Sequence, residues 1–213
     1  MQTSVFKTYY SVLLLLIIAF AFVTRVYRLH IPEKYIFDEV YHAVTAKLIA
    51  QNDERAYEWH NPPPEPNTAV DWLHPPYAKL SQAAAINIFG ATSFGWRFSS
   101  VVFGCLVVLI TAQLAKALFK NEEVALLSAF LVSLDGLVLT MSRIAMNDIH
   151  VTFFILLSFW TYVEYINSTR KAKRYLLISS VAAGLAVGTK WSGVFAIGFI
   201  GIREAIHTLK TAL

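Results

Sequence analysis

Long apolar runs separated by short polar stretches dominate this chain, and that pattern leaves it few folds. A helix needs about 20 mostly apolar residues to cross roughly 30 Å of hydrocarbon. Six stretches approach that length: 9–27, 94–119, 123–141, 149–166, 175–189 and the weaker 192–206. Apolarity is sustained along each run, which predicts helices and argues against the alternating strands of a barrel. Composition agrees, because 56% of the 213 residues are hydrophobic and only 15% are charged, against about 25% charged in a typical soluble domain. The expected fold is an all-α polytopic membrane protein of about six transmembrane helices, with residues 1–213 forming one membrane-embedded unit. The first run ends in Thr24-Arg25-Val26-Tyr27-Arg28 and lacks a small-residue cleavage site. It therefore reads as a retained helix and not as a signal peptide.

Charge placement predicts orientation. With the N-terminus cytoplasmic, short inside loops hold Lys116, Lys120, Arg170, Lys171, Lys173 and Arg174, while short outside turns hold only Arg143 and Lys190. That asymmetry follows the positive-inside rule, although Arg25 and Arg28 run against it. The formal net charge of +4 resides in these flanks, so nucleic-acid binding is not expected. Cys105, the only cysteine, lies in an apolar run, which excludes an intramolecular disulfide and a cysteine-based zinc site. P-loop and GxGxxG patterns are absent.

Residues 29–90 form a long connection on the expected outer side. Within it, 37–51 reads as an amphipathic helix with Val40, Val44, Leu48 and Ile49 on its apolar face. The stretch Asn61-Pro62-Pro63-Pro64-Glu65-Pro66 must be irregular. A second helix opens at His74-Pro75-Pro76, since proline suits a first helical turn. Its face of Leu80, Ala83, Ala84, Ile86 and Ile88 is expected along the membrane surface.

The same topology gathers Asp38, Glu39, His74, Lys79, Arg97, Arg143, Asp148 and Lys190 at one membrane face, with Asp135 inside the third run toward that side. Charge near hydrocarbon is expensive, which makes each a candidate. Every one also has a plainer reading. Asp38-Glu39 can be a negative first helical turn. Arg97 and Lys190 can be flank residues that snorkel, or a clamp for phosphate. Arg143 and Asp148 flank a tight turn and can pair with each other, and Asp135 can serve helix packing. Asp38 and His42 are four apart on one helix face, but no HExxH or cysteine set accompanies them, so no metal or other cofactor is expected.

Five segments, in order, resemble a known family. Phe37-Asp38-Glu39-Val40-Tyr41-His42 is similar to the acidic motif after the first span of the dolichyl-phosphate-mannose–protein mannosyltransferases. Leu73-His74-Pro75-Pro76-Tyr77-Ala78-Lys79-Leu80 resembles their HPPLxKL segment. Leu134-Asp135-Gly136-Leu137-Val138, Ser142-Arg143-Ile144-Ala145-Met146-Asn147-Asp148 and Gly188-Thr189-Lys190-Trp191-Ser192-Gly193 complete the set. The resemblance implies a GT-C helix bundle in which 29–90 is an external catalytic loop. It also implies inverting transfer of mannose from a polyprenyl- or dolichyl-phosphate carrier to Ser/Thr hydroxyls of proteins. By the same resemblance Asp38 would be the general base and Glu39 would orient the site. Arg97 would hold the donor phosphate, assisted by Lys190 and Arg143, while His74, Lys79, Asp148 and Asp135 would support the site. One base opposite a departing phosphate that needs cationic stabilisation suits an inverting reaction.

Family members continue past the point matching Leu213, which implies that some donor contacts lie in further spans. The long stretch 52–72 resembles prokaryotic relatives, which points to a bacterial or archaeal cytoplasmic membrane with the site facing outside. The rival activity is a GT-C enzyme that modifies lipid A or another envelope lipid. A transporter subunit is disfavoured, because the charges gather at one face. An inactive partner fragment and the oligomeric state stay open at this level.

Overall fold

The computed structural model describes residues 2–212 except Trp59 and Pro63. The described residues hold helices and turns and no strand. Helix α1 spans Gln2–Val26, α2 Glu39–Ala50, α3 Tyr77–Phe89 and α4 Ser93–Phe119. The rest of the chain forms α5 (Glu122–Leu134), α6 (Gly136–Met141), α7 (Asp148–Asn167), α8 (Ala172–Val187) and α9 (Val194–Ala212).

Three helical stretches are long and apolar enough to cross a membrane, Tyr9–Val26, Ser93–Phe119 and Asp148–Asn167. They make this an integral membrane protein. The expected third span is interrupted. Asp135 leaves helical geometry (φ −59°, ψ 125°), and its Oδ1 accepts the Val138 N–H at 2.8 Å, which starts α6 as a separate helix. A short acidic side chain competes well for exposed N–H groups at a helix start, so the sequence from 123 to 141 breaks where it was expected to continue. Asp135 is exposed and serves as this cap.

Helix α4 is the hub, with α1, α3, α5 and α7 packed against it. Close approach among α1, α4 and α5 rests on small residues: Ala21, Ala112, Ala125 and Ala129 are each fully buried in one cluster. Small side chains let backbones approach where lipid offers no hydrophobic driving force between helices. Between α7 and α8, Ser179 Oγ donates to Ser158 O at 2.9 Å.

The connection from α1 to α4 is built as a unit. Helices α2 and α3 pack on each other, and α3 packs on α4. The proline-rich stretch is pinned by Glu65, whose carboxylate accepts from Tyr35 Oη and from Lys47 Nζ. The two faces of α3 differ from the expected division. Ala83 and Ile86 are buried with Ala78, Lys79 and Gln82, whereas Leu80, Ala84 and Ile88 form an exposed stripe.

The turn between α8 and α9 is a backbone crossing. A Cβ at Gly193 would lie 2.3 Å from the Ala186 carbonyl carbon and 2.5 Å from Val187 N. Replacing Gly193 by Ala is expected to cost about 1–3 kcal/mol, because rigid backbone must move. A thermal unfolding scan in detergent checks this, and a midpoint equal to wild type would mean the crossing relaxes freely.

Candidate active site

The two adjacent carboxylates of the acidic motif have opposite environments. Phe37 adopts a left-handed backbone (φ 51°), which is uncommon for a bulky residue and marks a locally strained turn. That turn delivers Asp38 to the N-cap and Glu39 to the first position of α2. Glu39 and Arg97 are then buried against each other, with side-chain exposures of 0% and 1%. Glu39 Oε1 accepts from Arg97 Nε at 2.7 Å and from Ala145 N at 2.9 Å. Its Oε2 accepts from Arg97 Nη2 at 2.7 Å and from Ile36 N at 3.0 Å. Arg97 spends its other N–H groups on Leu29 O (3.0 Å), Pro32 O (2.9 Å) and Lys34 O (3.1 Å). A guanidinium has five donors, and all five are used. Arg97, expected to hold a donor phosphate, here spends every N–H on Glu39 and on three backbone carbonyls. Glu39 is likewise committed to the scaffold.

Asp38 is not committed. It sits at the N-cap without a capping hydrogen bond. Its carboxylate makes no hydrogen bond or ion pair among the described residues, and it lines a cavity of about 310 Å³. Tyr41, His42, Asp71, Trp72 and His74 face the same space.

Asp71, which sequence reasoning missed, organises the opposite wall. It is buried, and its Oδ1 lies 3.1 Å from His74 Nδ1 and accepts the Leu73 N–H at 3.2 Å. Lys79 Nζ donates to Asp71 Oδ2 (3.1 Å), Asp71 O (2.7 Å) and His74 O (2.8 Å). Lys79 thus staples the turn before α3. Burial pushes the Asp71 carboxyl up, but His42, Lys79 and His74 together outweigh it and hold the group well below the usual carboxylate range. Burial lowers the Lys79 ammonium, and Asp71 offsets this only in part. The available signal was position: Asp71 lies three residues before His74, just ahead of the histidine-proline segment.

The downstream basic residues find partners other than those expected. Lys190 Nζ donates to Asp148 Oδ1 at 2.7 Å, with both side chains about a third exposed (29% and 37%). Arg143 Nη1 donates to Thr24 O (2.7 Å) and Arg25 O (2.8 Å), capping the end of α1. The expected Arg143–Asp148 pair is therefore replaced by two others. Burial, and then the nearby charge of Arg97, push the Arg143 guanidinium down. Trp191 Nε1 donates to Leu73 O at 2.8 Å, and Tyr77 N donates to Gly188 O at 3.0 Å. These bonds join the segment carrying His74 to the segment carrying Lys190. Asp135 stays apart as a helix cap.

The chain matches the family model described as dolichyl-phosphate-mannose-protein mannosyltransferase over residues 15–212. A polyprenol-phosphate-mannose–protein mannosyltransferase of Corynebacterium glutamicum is 28% identical over 158 residues, covering 64% of this chain and 30% of that protein. One of the same description from Mycolicibacterium smegmatis is 26% identical over 216 residues, covering 90% of this chain and 40% of its own. The chain thus spans well under half the length of these curated relatives. Among solved structures, the Saccharomyces cerevisiae protein O-mannosyltransferase Pmt1-Pmt2 complex bound to the sugar donor superposes with a TM-score of 0.76. That match has 22% identity and covers 91% of this chain and 27% of that one.

The contrast between the two carboxylates is measurable as stability. Arg97→Ala leaves a buried, unpaired Glu39 and is expected to cost about 3–5 kcal/mol. Asp38→Asn removes no contact and is expected to stay within about 0.5 kcal/mol of wild type. Denaturant titration of both variants in detergent checks the pair, and a loss in Asp38→Asn as large as in Arg97→Ala would contradict the division.

Proposed function

The chain belongs to the dolichyl-phosphate-mannose-protein mannosyltransferase family, and from that premise we propose that it carries the base and part of the donor site of an inverting mannosyl transfer. The donor is a polyprenyl- or dolichyl-phosphate-mannose, and the acceptor is a Ser or Thr hydroxyl of a protein. The observation that carries this reading is the unspent Asp38 carboxylate on a cavity, beside a Glu39 whose oxygens are all occupied. A general base must be free to accept a proton within hydrogen-bond reach of the acceptor hydroxyl. As that hydroxyl oxygen attacks the anomeric carbon, its proton passes to Asp38 and the carrier phosphate leaves with the bonding electrons of the C–O bond.

The departing phosphate needs positive charge. Lys190 is the best placed of the basic residues, since it is part-exposed and held by a single carboxylate, Asp148. An arriving phosphate can replace that partner. Arg143 is engaged at the end of α1, where it bonds two backbone carbonyls. Arg97 contributes by holding Glu39, and through it the turn that presents Asp38.

In the membrane, α1, α4, the broken pair α5–α6, α7, α8 and α9 make six crossings of a GT-C-type bundle. Residues 29–90 then form its external catalytic loop within a single membrane-embedded domain. The exposed stripe of Leu80, Ala84 and Ile88 suits contact with the bilayer surface. Lys and Arg asymmetry supports an outward orientation of this face, and the long 52–72 stretch favours a prokaryotic cytoplasmic membrane.

Right-side-out vesicles carrying the protein, labelled polyprenyl-phosphate-mannose and an impermeant Ser/Thr peptide test base, acceptor and orientation together. Label is expected in the peptide, falling by about 10²-fold or more in Asp38→Asn. Wild-type rates in Asp38→Asn would remove Asp38 as base. Label in lipid would transfer the reading to an envelope-lipid acceptor, and transfer only after the vesicles are opened would reverse the orientation.

A further inference from the structure

The cavity that Asp38 faces has a second chemistry on its opposite wall. One ligand atom each from His42, Asp71 and His74 can be chosen so that all three lie within 4.8 Å of one another. His42 Nδ1 is 2.8 Å from Asp71 Oδ2, and His74 Nδ1 is 3.1 Å from Asp71 Oδ1. The two imidazoles meet edge to face, 5.5 Å between centroids.

His42 is the informative member. It is 3% exposed, yet its Nδ1 has no hydrogen-bond partner. The 2.8 Å approach to Asp71 is close enough for a charge contact, but a proton on Nδ1 would not point at that oxygen. An off-axis contact of this kind between an imidazole nitrogen and a carboxylate fits two ligands that share one cation.

We propose that His42, Asp71 and His74 form a binding site for a borderline divalent cation of the Zn²⁺ class. Tetrahedral zinc with bonds of about 2.0–2.2 Å places its ligand atoms roughly 3.3 Å apart. His42 Nδ1 to Asp71 Oδ2 and His74 Nδ1 to Asp71 Oδ1, one contact to each carboxylate oxygen, are already near that value. The three ligand atoms, which lie within 4.8 Å of one another, draw together to reach it, and that movement falls to His74, the most exposed member at 27%. Two imidazoles and one carboxylate favour zinc, cobalt, nickel or iron over magnesium or calcium, which prefer all-oxygen shells. Three protein ligands also leave a position open toward the cavity, as in metal sites that bind a further ligand.

Lys79 opposes the cation. Its ammonium already neutralises Asp71 at 3.1 Å, so the site is weaker than a closed structural zinc site. The sequence gives no metal motif because its members come from two segments, His42 on α2 and Asp71 with His74 before α3.

Titration of tag-free protein in detergent with Co²⁺ tests the site without any sugar, so its outcome is independent of the transferase reading. The expected result is one equivalent bound per chain, with intensified visible d–d bands that Zn²⁺ abolishes and Mg²⁺ does not. His42→Gln and His74→Gln are each expected to weaken binding at least about tenfold, since even outer-shell partners cost that much. Neither variant removes the Asp71–Lys79 contact, and metal-free unfolding midpoints confirm that both remain folded. Binding by wild type no tighter than by the double variant H42Q/H74Q would overturn the proposal. Full affinity in both single variants would do the same.

Discussion

One buried ion pair fixes the geometry on which everything else at this site depends. Glu39 and Arg97 lie 58 positions apart, and the seven hydrogen bonds their side chains make hold four separate parts of the chain together. Arg97 fastens the exit from α1 through Leu29 and Pro32 and the turn before α2 through Lys34. Glu39 fastens that turn through Ile36 and the entry to α7 through Ala145. Desolvating two charges is expensive, and a buried pair persists only when its remaining donors and acceptors are satisfied. Here they are. The consequence is a connection between α1 and α4 that cannot drift as a tether would.

The pair also sorts two chemically identical neighbours. Successive residues at a helix start point about 100° apart, so once Glu39 is turned inward to Arg97, Asp38 must face elsewhere, and it faces the cavity. The far wall is set by a second network, in which Asp71 is bonded by Lys79 and His74 and lies 2.8 Å from His42 Nδ1. Trp191 and Tyr77 then tie that wall to the end of α8 and to Lys190. A carboxylate without partners, a rigid opposite wall and a loosely held cation are the elements that the proposed inverting transfer from a phosphate-linked sugar needs. Each is positioned by a contact that spends some other charge.

Much of this was legible in the sequence, and what was not has a common cause. Sustained apolarity reports on solvent, so the helical membrane architecture could be read directly, and the ordered segments from Phe37 to Gly193 carried the family resemblance that the family model bears out. Partner choice was harder, because it depends on contacts between distant segments. Arg97 has the placement of a phosphate ligand and the environment of a scaffold residue. Arg143 and Asp148 are close in sequence, yet each pairs with a remote segment, at Thr24 and Lys190. Asp71 carries no periodic or motif signal of its own, and it matters only because α2 packs on α3. Asp135 broke an apolar run that hydropathy joins, since capping is a local preference that averaging over a window conceals.

The most direct test of the account is a double-mutant cycle on unfolding in detergent, with Glu39→Gln, Arg97→Met and the double variant. If the pair is the interaction that holds the site, the double variant will be less destabilised than the two single losses added together, by about 1–3 kcal/mol. Losses that simply add would show that Glu39 and Arg97 act independently. The ordering of Asp38 would then need another cause.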